Sequence, residues 1–148
     1  MEITETDKKI LNIMLANSRL SLREIAKRAS ISVATSMHHV KRLEKEGIIK
    51  KYTARLDYEK IGYDVEVLIF IRIMKGRLFE VEKKVAVFPN VFAVYDVTGD
   101  FDAIVLARFK TRRQMDSFLK KIQTFDFVER TETKLILNTI KQDNIEIE

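Results

Sequence analysis

Ser21-Leu22-Arg23-Glu24-Ile25-Ala26-Lys27-Arg28-Ala29-Ser30-Ile31-Ser32-Val33-Ala34-Thr35-Ser36-Met37-His38-His39-Val40-Lys41-Arg42-Leu43-Glu44-Lys45-Glu46-Gly47 contains two helix starts and one helix stop. Ser21 with Glu24 three residues later is a capping box, in which each side chain satisfies the other residue's backbone N–H. It opens a helix of about two turns that buries Leu22, Ile25 and Ala26. Ala29-Ser30-Ile31 then turns the chain, and Ser32 caps a longer helix with Met37, Val40 and Leu43 directed inward. Gly47 stops that helix, because glycine accepts the left-handed conformation of a C-terminal cap without steric cost. A short helix, a tight turn and a longer helix make a helix-turn-helix.

Upstream, Thr4-Glu5-Thr6-Asp7 is a second capping box, with Thr4 as cap. Ile10, Leu11, Met14 and Leu15 follow at helical spacing, so the head has three helices. Downstream, Ile48 and Ile49 return to the core, and Lys50 to Arg55 has the character of a strand or short wing.

Charge gives this head a partner. The chain of 148 residues carries a formal net charge of +5. Residues 19–55 hold 10 basic side chains against 3 acidic ones, while residues 61–148 hold 14 of each. A segregated surplus is an electrostatic footprint for a polyanion. The last head helix suits a major groove. Ser32, Ala34, Thr35 and Ser36 are small and allow close approach to base edges, and the Thr35 methyl can touch thymine. His38 and His39 offer ring nitrogens to the bases. Lys27, Arg28, Lys41, Arg42, Lys50, Lys51 and Arg55 are placed to meet phosphates, which set register and affinity without carrying base identity. The two histidines do not predict a metal site, because neighbours on a helix point about 100° apart and the chain has no Cys and no other His.

Beyond the polar hinge at 57–62 the hydrophobic period changes. Residues 64–75, 91–98, 102–109 and 128–140 are β-branched and aromatic and predict strands. Residues 77–88 and 112–124 carry helical stripes, with Pro89-Asn90 breaking the first. Thr98-Gly99-Asp100 predicts a hairpin turn. The order is βαββαβ, so the fold class is α+β: a three-helix, winged helix-turn-helix domain (1–50), a strand or hinge linker (51–62) and a ferredoxin-like domain (63–148). In the first strand Val65, Val67, Ile69, Ile71 and Ile73 alternate to one side, leaving Leu68, Phe70 and Met74 on the other. The third strand sets Ala103, Val105 and Ala107 against Ile104, Leu106 and Phe109. Two helices cover one face of such a sheet, and an apolar second face predicts a second subunit. Paired heads also match half-sites related by two-fold symmetry.

Four segments in order resemble the Lrp/AsnC (feast/famine) regulators of bacteria and archaea: Thr6-Asp7-Lys8-Lys9-Ile10-Leu11, Ser18 through Ala26, Val40 through Ile49, and Gly99-Asp100-Phe101-Asp102. The match runs nearly end to end. The resemblance implies a DNA-binding head on a dimerising domain that senses amino acids, often in tetramers or octamers. It also implies an effector site at Thr98, Gly99, Asp100 and Asp102, where the Gly99 backbone and an Asp can meet a carboxylate or an ammonium. One departure is His39, where the family often has Arg.

Other functions fare worse. Decarboxylases similar to this family work with histidines in the second domain, and this chain has none after position 39. Asp100 and Asp102 lack a nucleophile nearby in sequence, and no glycine-rich phosphate loop occurs. No cofactor is expected. A non-specific DNA-coating protein would share the charge but not an operator preference. Without Cys, without 18 consecutive uncharged apolar residues and with an acidic start at Glu2, the chain is expected to be cytoplasmic.

Overall fold

The computed structural model describes residues 2–148. They form two compact units, the N-terminal segment through Arg55 together with Lys141–Glu148, and Leu56–Ile140.

The first unit is built on α1 (Glu5–Ala16), α2 (Leu22–Ala29) and α3 (Val33–Lys45). Both capping boxes form, with Thr4 and Asp7 reciprocally bonded, as are Ser21 and Glu24. α3 ends in a Schellman motif: Gly47 takes φ +69°, Gly47 N–H donates to the Glu44 carbonyl, and Ile48 N–H donates to that of Leu43. Ile10, Met14, Ile25, Ala29, Val40 and Leu43 make the core, with Ile49 packed against it.

One expectation about α3 fails. Met37 is 40% exposed and Ser36 is fully buried. With Val40 and Leu43 fixed inward, the stripe extends backward by four and seven residues to position 36, not by three to position 37. Lys50 to Arg55 is not a strand, since no ladder partner lies beside it among the described residues. Tyr52 instead donates its hydroxyl to Glu44 at 2.7 Å.

The second unit has β1 (Val65–Ile73), α4 (Leu78–Ala86), β2 (Val91–Asp96), β3 (Ala103–Phe109), α5 (Arg112–Gln123) and β4 (Val128–Leu135). The sheet order is β2-β3-β1-β4 and every pairing is antiparallel. Ile69 sits opposite both Val105 and Thr133. Alternate residues of β1 and β3 are buried with Val81 and Val85 of α4 and Phe118 and Ile122 of α5. This is the ferredoxin-like arrangement that the periodicity predicts. Phe109 lies on the covered face with Ala103, Val105 and Ala107, not with Ile104 and Leu106. An odd-numbered residue shares the face of its odd-numbered neighbours, because the pleat has a period of two.

The end of the chain also departs from expectation. β4 stops at Leu135, not near 140, and Lys141–Glu148 packs in the first unit. There the Asn12 amide donates to the Ile147 carbonyl at 3.0 Å and accepts from its N–H at 2.8 Å. The Asn12 side-chain amide thus satisfies both backbone groups of Ile147 and holds the final segment to α1.

Truncating a fully buried core residue removes its transfer free energy and leaves a cavity. Leu43→Ala is expected to lower the stability of the head by about 3 kcal/mol, seen as an earlier loss of α1–α3 amide protection in hydrogen exchange.

Candidate nucleic-acid interface

α3 is held against α1 by a buried carboxylate. Asp7 has no exposed surface. Its Oδ2 accepts from Thr4 N–H at 2.8 Å, from Thr4 Oγ1 at 2.7 Å and from the Arg42 guanidinium, and its Oδ1 lies 2.7 Å from His39 Nδ1. Burial pushes this carboxyl up. The hydrogen bonds from Arg42, His39 and Thr4 together outweigh burial and hold it well below the usual carboxylate range.

This network sorts the predicted DNA contacts. His39 and Arg42 are half-buried and turned to Asp7, and Ser36 is inside the core. These three are corrected: Ser36 is buried and the His39 ring is engaged with a buried carboxylate, so neither is presented to bases, and the Arg42 guanidinium, predicted to meet a phosphate, is engaged with Asp7 instead. Ala34, His38 and Lys41 remain exposed, at i, i+4 and i+7, and form one row along α3. Lys45 continues the row and Met37 flanks it. Neither is predicted from the sequence, where the spacing of Met37 to Val40 assigns it to the core. That spacing by itself permits either answer, and the packing of α3 against α1 and α2 decides. At the start of α3 the Ser32 and Thr35 hydroxyls lie 2.7 Å apart, and Ser32 also accepts from Thr35 N–H. Ser32 is exposed and Thr35 half-buried.

Lys27 and Arg28 occupy the last turn of α2 and are exposed, as are Lys50 and Lys51 after α3. Among the described residues, Lys27, Arg28, Lys41, Lys50 and Lys51 have no carboxylate within 4.0 Å in any ion pair. Arg55 differs, lying 3.4 Å from Asp143. Unpaired exposed cations around a small-residue helix are what a phosphate backbone requires.

In the second unit, Thr98, Gly99 and Asp100 are exposed on the β2–β3 connection, where Gly99 takes φ +113°. The connection is longer than a tight hairpin and closes through Val97 N–H to the Asp102 carbonyl at 2.9 Å. Asp102 is committed to the sheet: its Oδ2 accepts from Ile73 N–H at 2.7 Å and its own N–H donates to the Ile71 carbonyl. Near the end of β2, burial and then the Asp96 carboxylate push the Glu82 carboxyl up. The sequence reading did not single out that acidic pair, which only the packing of α4 on β2 brings together.

A model of winged helix-turn-helix DNA-binding segments matches residues 3–50. A model of the Lrp/AsnC ligand binding domain matches residues 66–145, more than half of the chain. The chain belongs to the Lrp/AsnC family. It is 41% identical over 143 residues to an uncharacterized HTH-type transcriptional regulator of Pyrococcus furiosus, with 97% of each chain covered. A counterpart in Pyrococcus horikoshii is 42% identical with the same coverage. Among solved structures, a transcriptional regulator of Neisseria meningitidis in complex with L-Met superposes with a TM-score of 0.91 at 25% identity, covering 99% of this chain and 97% of that one. Escherichia coli AsnC has the same fold, with a TM-score of 0.91 at 24% identity, 99% of this chain and 100% of that one being covered. This Lrp/AsnC protein is thus a DNA-binding transcriptional regulator and not an enzyme. Among the described residues no helix is long and apolar enough to cross a membrane.

The Asp7 network has a consequence in acid. A carboxyl held below its unfolded value contributes stability above about pH 4. That contribution is lost as pH falls below this value toward the folded one. Asp7→Asn is expected to cost the head about 3 kcal/mol at neutral pH, because the half-buried Arg42 guanidinium loses its counter-charge and one buried acceptor oxygen becomes a donor. It should also flatten the loss of stability below about pH 4. Chemical denaturation of both proteins from pH 3 to pH 7 checks both outcomes.

Proposed function

We propose that this regulator binds palindromic operators in duplex DNA as a homodimer, in the cytoplasm, and that an amino acid modulates the binding. The observation that carries the DNA reading is the exposed row Ala34, His38 and Lys41 on α3, ringed by the unpaired cations Lys27, Arg28, Lys50 and Lys51. The small Ala34 allows α3 to approach the groove floor, His38 offers donors or acceptors to base edges, and the lysines neutralise phosphates.

The dimer reading rests on the sheet face that no helix covers. Leu68, Phe70, Ile104 and Leu106 are half-exposed there. Phe101 tilts onto Phe70 at 5.5 Å between centroids. Arg108 is stacked between Phe92 (3.7 Å) and Tyr58 (4.4 Å) and bonded to Glu66 at 2.7 Å. A face apolar at its centre with satisfied charges at its margin suits a second copy of itself. Tetramers or octamers of such dimers are the further assembly proposed.

For the effector, the L-Met held in complex by the Neisseria regulator supports an amino acid. Thr98, Gly99 and Asp100 are the proposed contacts: the Gly99 backbone for one end of the amino acid and the Asp100 carboxylate for its ammonium. Asp102 shapes the loop from behind through Ile73. Effector binding shifts the assembly by its differential affinity for two states.

Lys41→Ala is expected to weaken binding to operator and random DNA alike and to reduce the slope of log K against log salt by about 0.9, one phosphate contact. Fluorescence anisotropy across a salt series measures it, and an unchanged slope removes Lys41 from the phosphate contacts. Leu106→Glu is expected to shift the protein to monomers in sedimentation. Selection from a random DNA pool, with and without a panel of amino acids, tests operator and effector together. An enriched palindrome whose recovery changes with one amino acid supports both, and no enrichment over scrambled DNA favours a DNA-coating protein.

A further inference from the structure

Two adjacent histidines on α3 have different fates, and their geometry links them. His39 is half-buried, with Nδ1 2.7 Å from Oδ1 of the buried Asp7. His38 is exposed. Their rings meet edge to face, with centroids 6.0 Å apart and planes at 87°.

We propose that His39 is a positioning residue for sequence reading: Asp7 fixes the His39 ring, and that ring braces His38 toward the DNA. The proposal rests on the DNA-reading function of α3 and deepens it. An exposed imidazole on a helix otherwise samples several χ1 and χ2 states, of which one suits a given base edge. Asp7 is in turn pinned by Thr4 and Arg42, so the support passes from the cap of α1 to a reading side chain on α3. A ring with a single polar anchor and a flat face suits this work. The anchor sets the orientation of His39, and the edge-to-face contact restricts its neighbour. His39 itself makes no base contact in this scheme.

The brace predicts a loss confined to specificity. His39→Asn retains an N–H donor for Asp7 and removes the ring. It is expected to lower the ratio of operator to scrambled affinity by about three- to sixfold, the number of side-chain states set free. The salt slope, which reports phosphate contacts, should stay unchanged. A residue that only stabilised the head would lower both affinities together. His38→Ala removes the reader, so adding His39→Asn to it should change the ratio no further. A ratio unaffected by His39→Asn, or lowered equally in both backgrounds, overturns the proposal. A measurement without DNA separates this idea from the DNA-reading function. NMR of the free full chain should show cross-relaxation between the His38 and His39 ring protons. It should also show a ring-current shift at His38 that His39→Asn abolishes. Absence of that contact in the wild type overturns the brace whatever the protein binds, whereas the contact without operator preference refutes the function and not the geometry.

Discussion

A carboxylate without access to water has to be met by enough donors, or it will not stay charged. Asp7 is that group here, and the requirement organises the head. Thr4 satisfies it from the start of its own helix, and His39 and Arg42 reach it from α3. Charge compensation between helices is directional in a way that apolar contact is not. Val40 and Leu43 could tolerate some rotation of α3, but the Asp7 pairs permit one rotation and one axial position. That setting determines which residues of α3 point away from the core, and hence which can face DNA.

The same constraint explains why basic side chains close in sequence differ in use. Lys41 and Arg42 are neighbours, yet one extends into solvent and the other is drawn into the head. A net charge counts them alike. Cations left unpaired, Lys27, Arg28, Lys41, Lys45, Lys50 and Lys51 among them, are free to add to a field that draws a polyanion, while Arg42 neutralises a charge within the protein. Among the described residues, the buried Ser36 hydroxyl and Arg42 Nε have no hydrogen-bond partner.

The second unit solves a different problem. Its sheet buries one face beneath two helices and leaves aliphatic and aromatic side chains on the other. At that margin Arg108 is paired with Glu66 and stacked on two aromatic rings, and Arg130 lies over Phe101 at 4.8 Å. Asp102 ties the β2–β3 connection to the end of β1, so the exposed Thr98, Gly99 and Asp100 project from a fixed base. A rigid base with an exposed tip is how loops carry binding groups.

Local sequence determined the elements. Capping boxes, the Gly47 stop, the Pro89 break and the change from helical to alternating spacing each act within a few residues, so three helices and a βαββαβ order could be read from the chain. Family resemblance was legible for the same reason. What the sequence left open needed a partner distant in the chain. Met37 and Ser36 compete for one inward position, and the packing of α3 against α1 and α2 decided for Ser36. His39 and Arg42 look like DNA contacts until Asp7, more than thirty residues away, claims them. Asp102 looks like a free carboxylate until Ile73 donates to it, and residues 136–140 look like strand although the ladder ends at Leu135. Propensity acts over a turn of helix or a pleat of strand, whereas the fate of a polar side chain depends on which donor or acceptor folding brings within 3 Å, and only tertiary structure settles that.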